Sequence, residues 1–501
     1  MLSRSIQQAI RHLPSQRTCR YSSVATLKEC WNQIDRHNTE INAFISLNDR
    51  TLLEKKAVES DHRRSNGTLQ STIDGTTIAI KDNICTSFLP TTCASNMLKD
   101  FTSPYDATVV QLLNEAGSLI MGKTNMDEFG MGSTNVHSAF GPVIHPDRSD
   151  DIQRSPGGSS GGSAASVAMD MCTAALGSDT GGSVRMPASY CGLVGFKPSY
   201  GRCSRHGLIS YANSLDTIGI LTKDVKSCAN VYDIIDKYDE KDPTSIPNEL
   251  RTELNENDAQ LSLQFKNDLN GLVVGVPQEF YVDSLSSEVL TSWRDGIKRL
   301  QSLGAKIVSV SIPSVPLALP AYYIIALAEA SSNLSRYDGV KYGHRVPDHK
   351  LLYDETRSSG FGDEVKKRIL LGTHVLTAGT YDTLFLPAQS ARRVIQKEFN
   401  QVFKQPNLLY SKSKTGQAHV LLVPSATSRA PQLNQLNQGV KAYIDDVMTL
   451  PANLAGLPAI TVPSTHSIGL QLLGQYGYDN FVLRIAEIMT NGAGLKNGNT
   501  L

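Results

Sequence analysis

The chain has 501 residues, with 48 Lys or Arg against 48 Asp or Glu, so its formal net charge is zero. A protein that binds nucleic acid unaided usually carries a basic patch or stripe, and this sequence has only short basic clusters such as the one at 366–368. We therefore expect any RNA to be held by a partner. The eight cysteines include no C-x-x-C pair, which argues against a zinc site or a disulfide scaffold and indicates a reducing compartment.

The N-terminus differs from the rest of the chain. The first 28 residues contain no acidic residue and carry four arginines: Arg4, Arg11, Arg17 and Arg20. Such segments are typical of mitochondrial transit peptides, whereas a secretory signal needs a longer apolar run. We predict a transit peptide over residues 1–22, a folded domain over 23–501 and a mitochondrial location, on the matrix side; a frayed basic terminus is the alternative. No apolar run approaches the roughly 18 residues of a membrane span, so none is expected.

The predicted elements alternate between helices and strands along the chain. Residues 24–65 have a helical apolar stripe that includes Trp31 and Ile34. Residues 237–268 are polar and charged, and are predicted to form a surface linker or insertion. Alternating elements favour βαβ units, so the predicted fold class is α/β, with a sheet covered by helices on both faces. Strands are predicted at 76–81, 118–121, 172–176, 271–276 and 306–310, and further helices at 107–116, 164–169 and 285–303.

Three short stretches carry the candidate chemistry. Lys81 ends an apolar strand, residues 156–163 (PGGSSGGS) form one Gly/Ser loop, and residues 177–185 (GSDTGGSVR) form a second. Each has an ordinary explanation, because a lone lysine is often a salt-bridge residue and a Gly/Ser loop is often only a turn. The pattern Gly158-x-Ser160-x-Gly162 also fits the nucleophile elbow of α/β-hydrolases, whereas the phosphate-binding pattern G-x-x-x-x-G-K-[ST] does not occur.

Together, in this order and spacing, the three stretches resemble the amidase signature family. The resemblance extends through residues 191–202 (CGLVGFKPSYGR) and runs from about residue 25 to the C-terminus. It implies a single domain around a large mixed β-sheet. It also implies a triad in which Ser183 is the nucleophile, Ser159 the proton relay and Lys81 the base, with a cis peptide bond before Ser159. No metal site is expected.

The proposed chemistry explains these residue types. A serine hydroxyl is a poor nucleophile without a base, and a lysine accepts a proton only when it is neutral. Burial without a carboxylate partner lowers the pKa of a lysine, and Lys81 is placed to be buried. Asp179 and Arg185 flank the second loop and are interpreted as a pair that supports its shape, with a surface role as the alternative. By the resemblance, an oxyanion hole is formed by the backbone N–H groups of Thr180, Gly181, Gly182 and Ser183.

Longer stretches of the second half, at 321–339, 367–373 and 451–460, resemble one branch of the family, the A subunits of glutamyl-tRNA(Gln) amidotransferases. This implies that the chain hydrolyses glutamine and passes ammonia to a B subunit. The B subunit is expected to use ATP and magnesium to convert Glu-tRNA(Gln) to Gln-tRNA(Gln), and a small third subunit is expected in the complex. No cofactor is expected in this chain itself.

The same resemblance assigns Arg368 to the α-carboxylate of glutamine and Asp446 to its α-ammonium, with a surface ion pair as the alternative for each. Glu128 is placed near the exit of ammonia. Residues 144–155 are longer and more charged than the family pattern, and residues 463–469 are shorter. Both are interpreted as loop variations, and the second could reshape the substrate entrance or a subunit contact.

Two other functions stay open on the sequence. A stand-alone amidase of the same family would act on another carboxamide, such as a fatty acid amide. Such enzymes usually carry an apolar acyl channel or membrane-facing helices, and we find no such segment. A non-catalytic scaffold subunit would not need Lys81, Ser159 and Ser183 together, so the intact set favours an enzyme.

Overall fold

The computed structural model describes residues 22–147, 149–150, 152–265, 268–347, 352–410, 416–436, 439–465 and 467–491. All but the last residue of the predicted transit peptide lies outside this described part. Within it, eleven strands form one sheet. The strands are β1 (Phe44–Leu47), β2 (Thr77–Lys81), β3 (Leu119–Thr124), β4 (Ala174–Asp179), β5 (Val194–Lys197), β6 (Thr217–Thr222), β7 (Val273–Pro277), β8 (Lys306–Val310), β9 (Val420–Pro424), β10 (Ala459–Thr465) and β11 (Ile468–Gly474).

Several helices begin at side chains that accept backbone N–H groups, as in α2, where Asp49 accepts from Leu52. The α-helices of the described residues are α1 (Ser23–Ile41), α2 (Arg50–Ser65), α3 (Thr108–Glu115), α4 (Gly161–Ala168), α5 (Arg185–Tyr190), α6 (Val225–Ile235), α7 (Asn248–Ser262), α8 (Ser287–Ser302), α9 (Ala318–Asn333), α10 (Asp354–Gly360), α11 (Asp363–Val375), α12 (Leu386–Val402), α13 (Leu450–Ala455) and α14 (Asp479–Thr490). A π-helical turn, Tyr381–Phe385, precedes α12.

The sheet is mixed, as the resemblance implies. Its strand order is β1-β3-β2-β4-β6-β5-β10-β11-β9-β7-β8. Strands β3, β2 and β4 run parallel, and so do β9, β7 and β8. The antiparallel strands β6, β5, β10 and β11 join these two parallel groups.

Alternate residues of the central strands pack into two separate hydrophobic clusters. In β2, Ile78 and Ile80 belong to one cluster, whereas Ala79 belongs to the other. In β4, Leu176 and Ala175 divide in the same way. Because successive side chains of a strand point to opposite faces, the sheet is covered on both faces. This confirms the predicted α/β class and explains why the strands are continuous apolar runs rather than alternating patterns.

The topology brings the candidate residues to one edge of the sheet. The parallel strands β2 and β4 end at Lys81 and Asp179, and the carboxyl ends of parallel strands meet at the same edge. The antiparallel strand β6 starts beside the end of β4, with Thr217 opposite Asp179. In open α/β sheets, ligands bind beyond such carboxyl ends. The fold therefore gathers the loops that follow β2 and β4 with the segment that precedes β6.

Two segments differ from the sequence-based expectation. The helical segment predicted at 24–65 is two helices separated by β1, because Asn42 ends α1 in the left-handed conformation. The polar segment 237–268 contains α7. In that helix Leu254 is buried, and the Asp258 carboxylate accepts the N–H groups of Asn480 and Phe481 at the start of α14. The segment is thus joined to the fold through a helix N-terminus, which a polar composition does not reveal.

One helical stretch differs from the expectation about apolar runs. Val315–Arg336 is long and apolar enough to cross a membrane by length and composition. Half of its most apolar part is buried inside the protein. Its main helix, α9, packs against α11 and α12. Its apolar character is therefore that of a core helix.

The two segments that depart from the family pattern are partly exposed connections between other elements. In the longer segment, 144–155, Arg154 forms an isolated antiparallel β-bridge with Gln432, and Ser155 donates its N–H to the Pro431 carbonyl. The shorter segment, 463–469, is the hairpin between β10 and β11, whose residues pair as far as Thr465 and Ile468. Residues 148, 151 and 466 of these segments lie outside the described part of the chain.

Candidate active site

Lys81 lies at the end of β2 and is fully buried. Its Nζ is 2.8 Å from Ser159 Oγ, 2.9 Å from Ser178 Oγ and 3.3 Å from the Ser178 carbonyl oxygen. A neutral amine has two N–H donors and one lone pair. Donation of both hydrogens to Ser178 therefore leaves the lone pair to accept the proton of the Ser159 hydroxyl.

Burial lowers the pKa of Lys81 to about 7, against the opposing effect of three carboxylates, Asp127, Asp179 and Asp216. Each of these is held by other groups. Asp127 accepts the backbone N–H groups of Asn135 and His137, and Asp179 is paired with Arg185. Because none of the described carboxylates is hydrogen-bonded to the Lys81 amine, desolvation dominates and Lys81 can be neutral near pH 7.

The two serines of the first loop have different surroundings. The Gly158–Ser159 peptide bond is cis, as the resemblance implies, and Ser159 meets Lys81. Gly158 has no room for a side chain, because a Cβ there would lie 2.1 Å from a carboxylate oxygen of Asp127. Ser160 is fully buried, and its hydroxyl donates to the Ser178 carbonyl. These contacts argue against Ser160 as an exposed nucleophile.

Ser183 opens onto a small cavity. It is 9% exposed, compared with 0% for Lys81 and 1% for Ser159, so it is the group of the three that a substrate reaches. The same cavity is lined by Arg368 and Asp446. The structure therefore brings together residues that lie more than 180 positions apart in the sequence.

Arg368, on α11, is 4% exposed and is held from two sides. Its Nε donates to Glu364 at 2.8 Å, and its terminal nitrogen donates to the Tyr211 hydroxyl at 2.9 Å. Glu364 also pairs with Lys367. The guanidinium thus has a fixed orientation at the cavity wall, which is the arrangement that suits bidentate binding of a carboxylate.

Asp446 lies in the 3₁₀-helical segment Gly439–Met448. Its carboxylate accepts the Tyr323 hydroxyl at 2.6 Å and the Ser133 hydroxyl at 3.0 Å. Burial raises its pKa to about 6, so the carboxylate is mainly ionised at neutral pH. The cavity is therefore lined by the negative charge of Asp446 and the positive charge of Arg368.

Asp179 and Arg185 form a fully buried pair that holds the second loop. Arg185 donates from two nitrogens to the two Asp179 carboxylate oxygens, each at 3.0 Å. It also donates to Asn453 and Gln471. Burial alone would raise the pKa of Asp179, but the adjacent Arg185 charge holds that pKa below its ordinary value. The geometry excludes the surface role considered for this pair.

The backbone of the second loop departs from expectation at one position. The Gly182 N–H donates to Asp179 at 2.9 Å, so it is not available to an oxyanion. Among the described residues, none accepts the N–H groups of Thr180, Gly181 or Ser183. These three remain the candidate donors. Gly182 is needed for a different reason. Its φ of +130° is a conformation that other residues rarely adopt, and a Cβ there would collide with the Thr449 side chain.

Glu128 lies two residues before Gly130, which lines the Ser183 cavity. The Glu128 carboxylate accepts the Ser95 hydroxyl and the Gly362 N–H, at 2.5 and 2.8 Å. Burial raises its pKa to about 7. It lines a second cavity, together with Gly362 and Lys367. Glu128 thus ties the loop that borders the nucleophile to the start of α11.

Sequence reasoning missed several polar residues of the site. Tyr323 and Ser133 hold Asp446, Tyr211 holds Arg368, and Asp216 accepts the Thr180 hydroxyl at 2.7 Å. The Tyr322–Tyr323 pair in an otherwise small and apolar helix is a signal that could have been followed. No group of three or more potential metal-ligating side chains occurs among the described residues.

The fold and the site define a protein of the amidase class. A family model described as Amidase matches residues 25–483, and the chain belongs to that family. The mitochondrial A subunit of glutamyl-tRNA(Gln) amidotransferase from Coccidioides posadasii is 46% identical over 476 residues, which are 89% of this chain and 95% of that protein.

The similarity extends to relatives whose names do not include the mitochondrial designation. The A subunit of glutamyl-tRNA(Gln) amidotransferase from Chromohalobacter salexigens is 42% identical, covering 93% of this chain and 92% of that protein. The crystal structure of the corresponding protein from Thermotoga maritima superposes with a TM-score of 0.71 at 35% identity, over 94% of each chain.

Proposed function

We propose that this chain is the glutaminase component of a glutamyl-tRNA(Gln) amidotransferase. The observation that carries the proposal is the cavity in which Ser183 lies with a buried cation, Arg368, and a buried anion, Asp446. Free glutamine presents an α-carboxylate and an α-ammonium at one end and a neutral amide at the other. Both charges need partners in a desolvated site. The names of the relatives support the same function.

In the proposed mechanism, neutral Lys81 takes the proton of the Ser159 hydroxyl as Ser159 takes the proton of Ser183. Ser183 Oγ then attacks the carboxamide carbon of glutamine, and the carbonyl oxygen becomes an oxyanion. We assign the stabilisation of this charge to the N–H groups of Thr180, Gly181 and Ser183, and the loss of one such donor typically costs about 100-fold or more in rate.

Collapse of the tetrahedral intermediate breaks the C–N bond and returns the proton along the same path to the departing nitrogen. Ammonia leaves, and the glutamyl group stays as an ester on Ser183. A water molecule, deprotonated through Ser159 and Lys81, then hydrolyses the ester and releases glutamate. Arg368 and Asp446 hold the two charges and do not touch the bond that breaks.

The ammonia is destined for a B subunit that activates Glu-tRNA(Gln) with ATP and magnesium, and a small third subunit completes the complex. The formal net charge of zero agrees with a chain that leaves tRNA binding to its partners. The relatives named mitochondrial support a mitochondrial location, and we place the complex in the matrix. Glu128 is proposed to lie at the exit of ammonia.

The test is co-purification of the full chain with its partners, followed by two assays. We expect glutamate release from glutamine and, with Glu-tRNA(Gln) and ATP, formation of Gln-tRNA(Gln). Arg357, a half-buried arginine of α10 that donates to the carbonyls of Leu334 and Tyr337, provides a control variant, Arg357→Met. A complex that hydrolyses simple carboxamides but not glutamine would support the stand-alone amidase instead.

A further inference from the structure

Asp216 is a buried carboxylate that the proposed mechanism does not use. It directly precedes β6, which pairs antiparallel with β4 so that Thr217 lies opposite Asp179. One residue beyond this pair, Asp216 lies beside Thr180. The sheet register therefore places this carboxylate beside the loop that carries the candidate oxyanion donors.

The contacts of Asp216 reach in two directions. One oxygen accepts the Thr180 hydroxyl at 2.7 Å. The carboxylate also accepts the backbone N–H groups of Tyr211, at 2.9 Å, and Ala212, at 3.1 Å. Tyr211 in turn uses its hydroxyl to accept a hydrogen bond from Arg368 at 2.9 Å. A chain of hydrogen bonds thus runs from Thr180 through Asp216 and Tyr211 to the Arg368 guanidinium at the cavity wall.

We propose that Asp216 is a positioning residue that fixes the oxyanion loop and the substrate-binding guanidinium in one geometry, acting through Thr180 on the first and through Tyr211 on the second. The effect on Arg368, which we call the glutamine arm, rests on the proposed function. The effect on the loop, which we call the oxyanion arm, applies to any carboxamide. Because the donors must lie about 3 Å from the developing oxyanion, a loop that shifts by a fraction of that distance loses rate.

The segment that joins Tyr211 to Asp216 has independent supports. Ser214 donates its N–H and its hydroxyl to Glu329 of α9, and Arg392 of α12 donates to the Ser214 hydroxyl. Loss of the Asp216 charge therefore leaves the segment attached to two helices. We expect its local geometry to change while the fold remains.

The experiment compares three variants in the co-purified complex, with glutamine and with a small neutral amide as substrates. Thr180→Val should lower kcat on both substrates by about tenfold or more, the effect of losing one hydrogen bond to a charged group. Tyr211→Phe should act mainly on KM for glutamine. Asp216→Asn should show both effects, and in the Thr180→Val background it should cause no further loss on the neutral amide.

A control variant and a rescue separate positioning from a general structural role. Asp239→Asn removes a similar carboxylate, which accepts the hydroxyls of Thr108 and Ser204 and does not line the cavity, and it should leave both substrates unaffected. Thr180→Ser keeps the hydroxyl and should retain the activity that Thr180→Val loses. This pair also tests the oxyanion arm if Asp216→Asn fails to fold.

Two results would overturn the proposal. Equal kinetic losses in Thr180→Ser and Thr180→Val would show that the hydroxyl bond to Asp216 is not used. A loss in Asp216→Asn that is the same on both substrates would remove the link to Arg368. If the wild type hydrolyses only the neutral amide, the glutamine assignment fails, and the comparison on that amide still decides the oxyanion arm.

Discussion

The pH dependence of amide hydrolysis should follow the ionisation of Lys81. Its pKa is lowered from 10.5 to about 7 by burial, so the neutral fraction at pH 7 rises from about 0.03% to about one half. The base must be deprotonated to act. Activity is therefore lost as the pH falls below about 7, by roughly tenfold per pH unit, and it levels off above that value.

The assay is kcat/KM on a small neutral amide from pH 5 to 9, because such a substrate has no ionising group of its own. Lys81→Arg should be inactive at every pH in this range, since a guanidinium stays protonated and cannot accept the proton. Lys81→Met should be equally inactive, while both variants keep a folded far-UV spectrum.

Lys197 provides the matched control. It is also fully buried, and burial lowers its pKa to about 7 as well, but it donates to the carbonyls of Pro198 and Leu457 and not to either serine. Lys197→Met should lose stability and keep the pH profile. An active Lys81→Arg variant would refute the lysine base. If Lys197→Met no longer lost activity at low pH, the ionisation that controls activity would belong to Lys197 and not to Lys81.

Three further predictions concern the nucleophile, the buried pair and the tRNA. Ser183→Ala should abolish hydrolysis with an unchanged melting temperature, whereas Ser160→Ala should be milder; an acyl group trapped on Ser160 would contradict this. Arg185→Met should cost about 3–5 kcal/mol in a denaturant titration, because it leaves Asp179 buried and unpaired; a change under about 1 kcal/mol would argue against the pair as the support of the loop. In filter binding, the isolated chain should hold Glu-tRNA weakly, and tight, salt-sensitive binding would contradict that expectation.

The α/β class could be predicted from the alternation of elements, and the triad from the family resemblance that three short stretches carry. Lys81 at the end of an apolar strand, and glycines around Ser159 and Ser183, are short patterns whose chemistry depends on residue type. The sheet then brings Lys81 to within 2.8 Å of Ser159, as the prediction requires. The bounds of β8 and the approximate place of α8 also follow from simple periodicity.

The rest depends on contacts between distant parts of the chain. Nothing near Asp446 in the sequence indicates that Tyr323 and Ser133 hold it, because these residues lie 123 and 313 positions away. The engagement of the Gly182 N–H by Asp179 is a matter of loop conformation, which a glycine-rich pattern leaves open. The helix α7 has a polar composition and is tied to the fold through Asp258, whose partners are more than 200 residues distant.

The measurement that tests the central claim most directly is the substrate preference of Arg368→Ala in the co-purified complex. The account predicts that kcat/KM for glutamine falls by about 30-fold or more, corresponding to the roughly 2 kcal/mol or more that an unpaired buried charge typically costs. Hydrolysis of a small neutral amide, which has no carboxylate for the guanidinium to bind, should fall far less. Equal losses on both substrates would contradict the claim that the Ser183 cavity is built to hold glutamine.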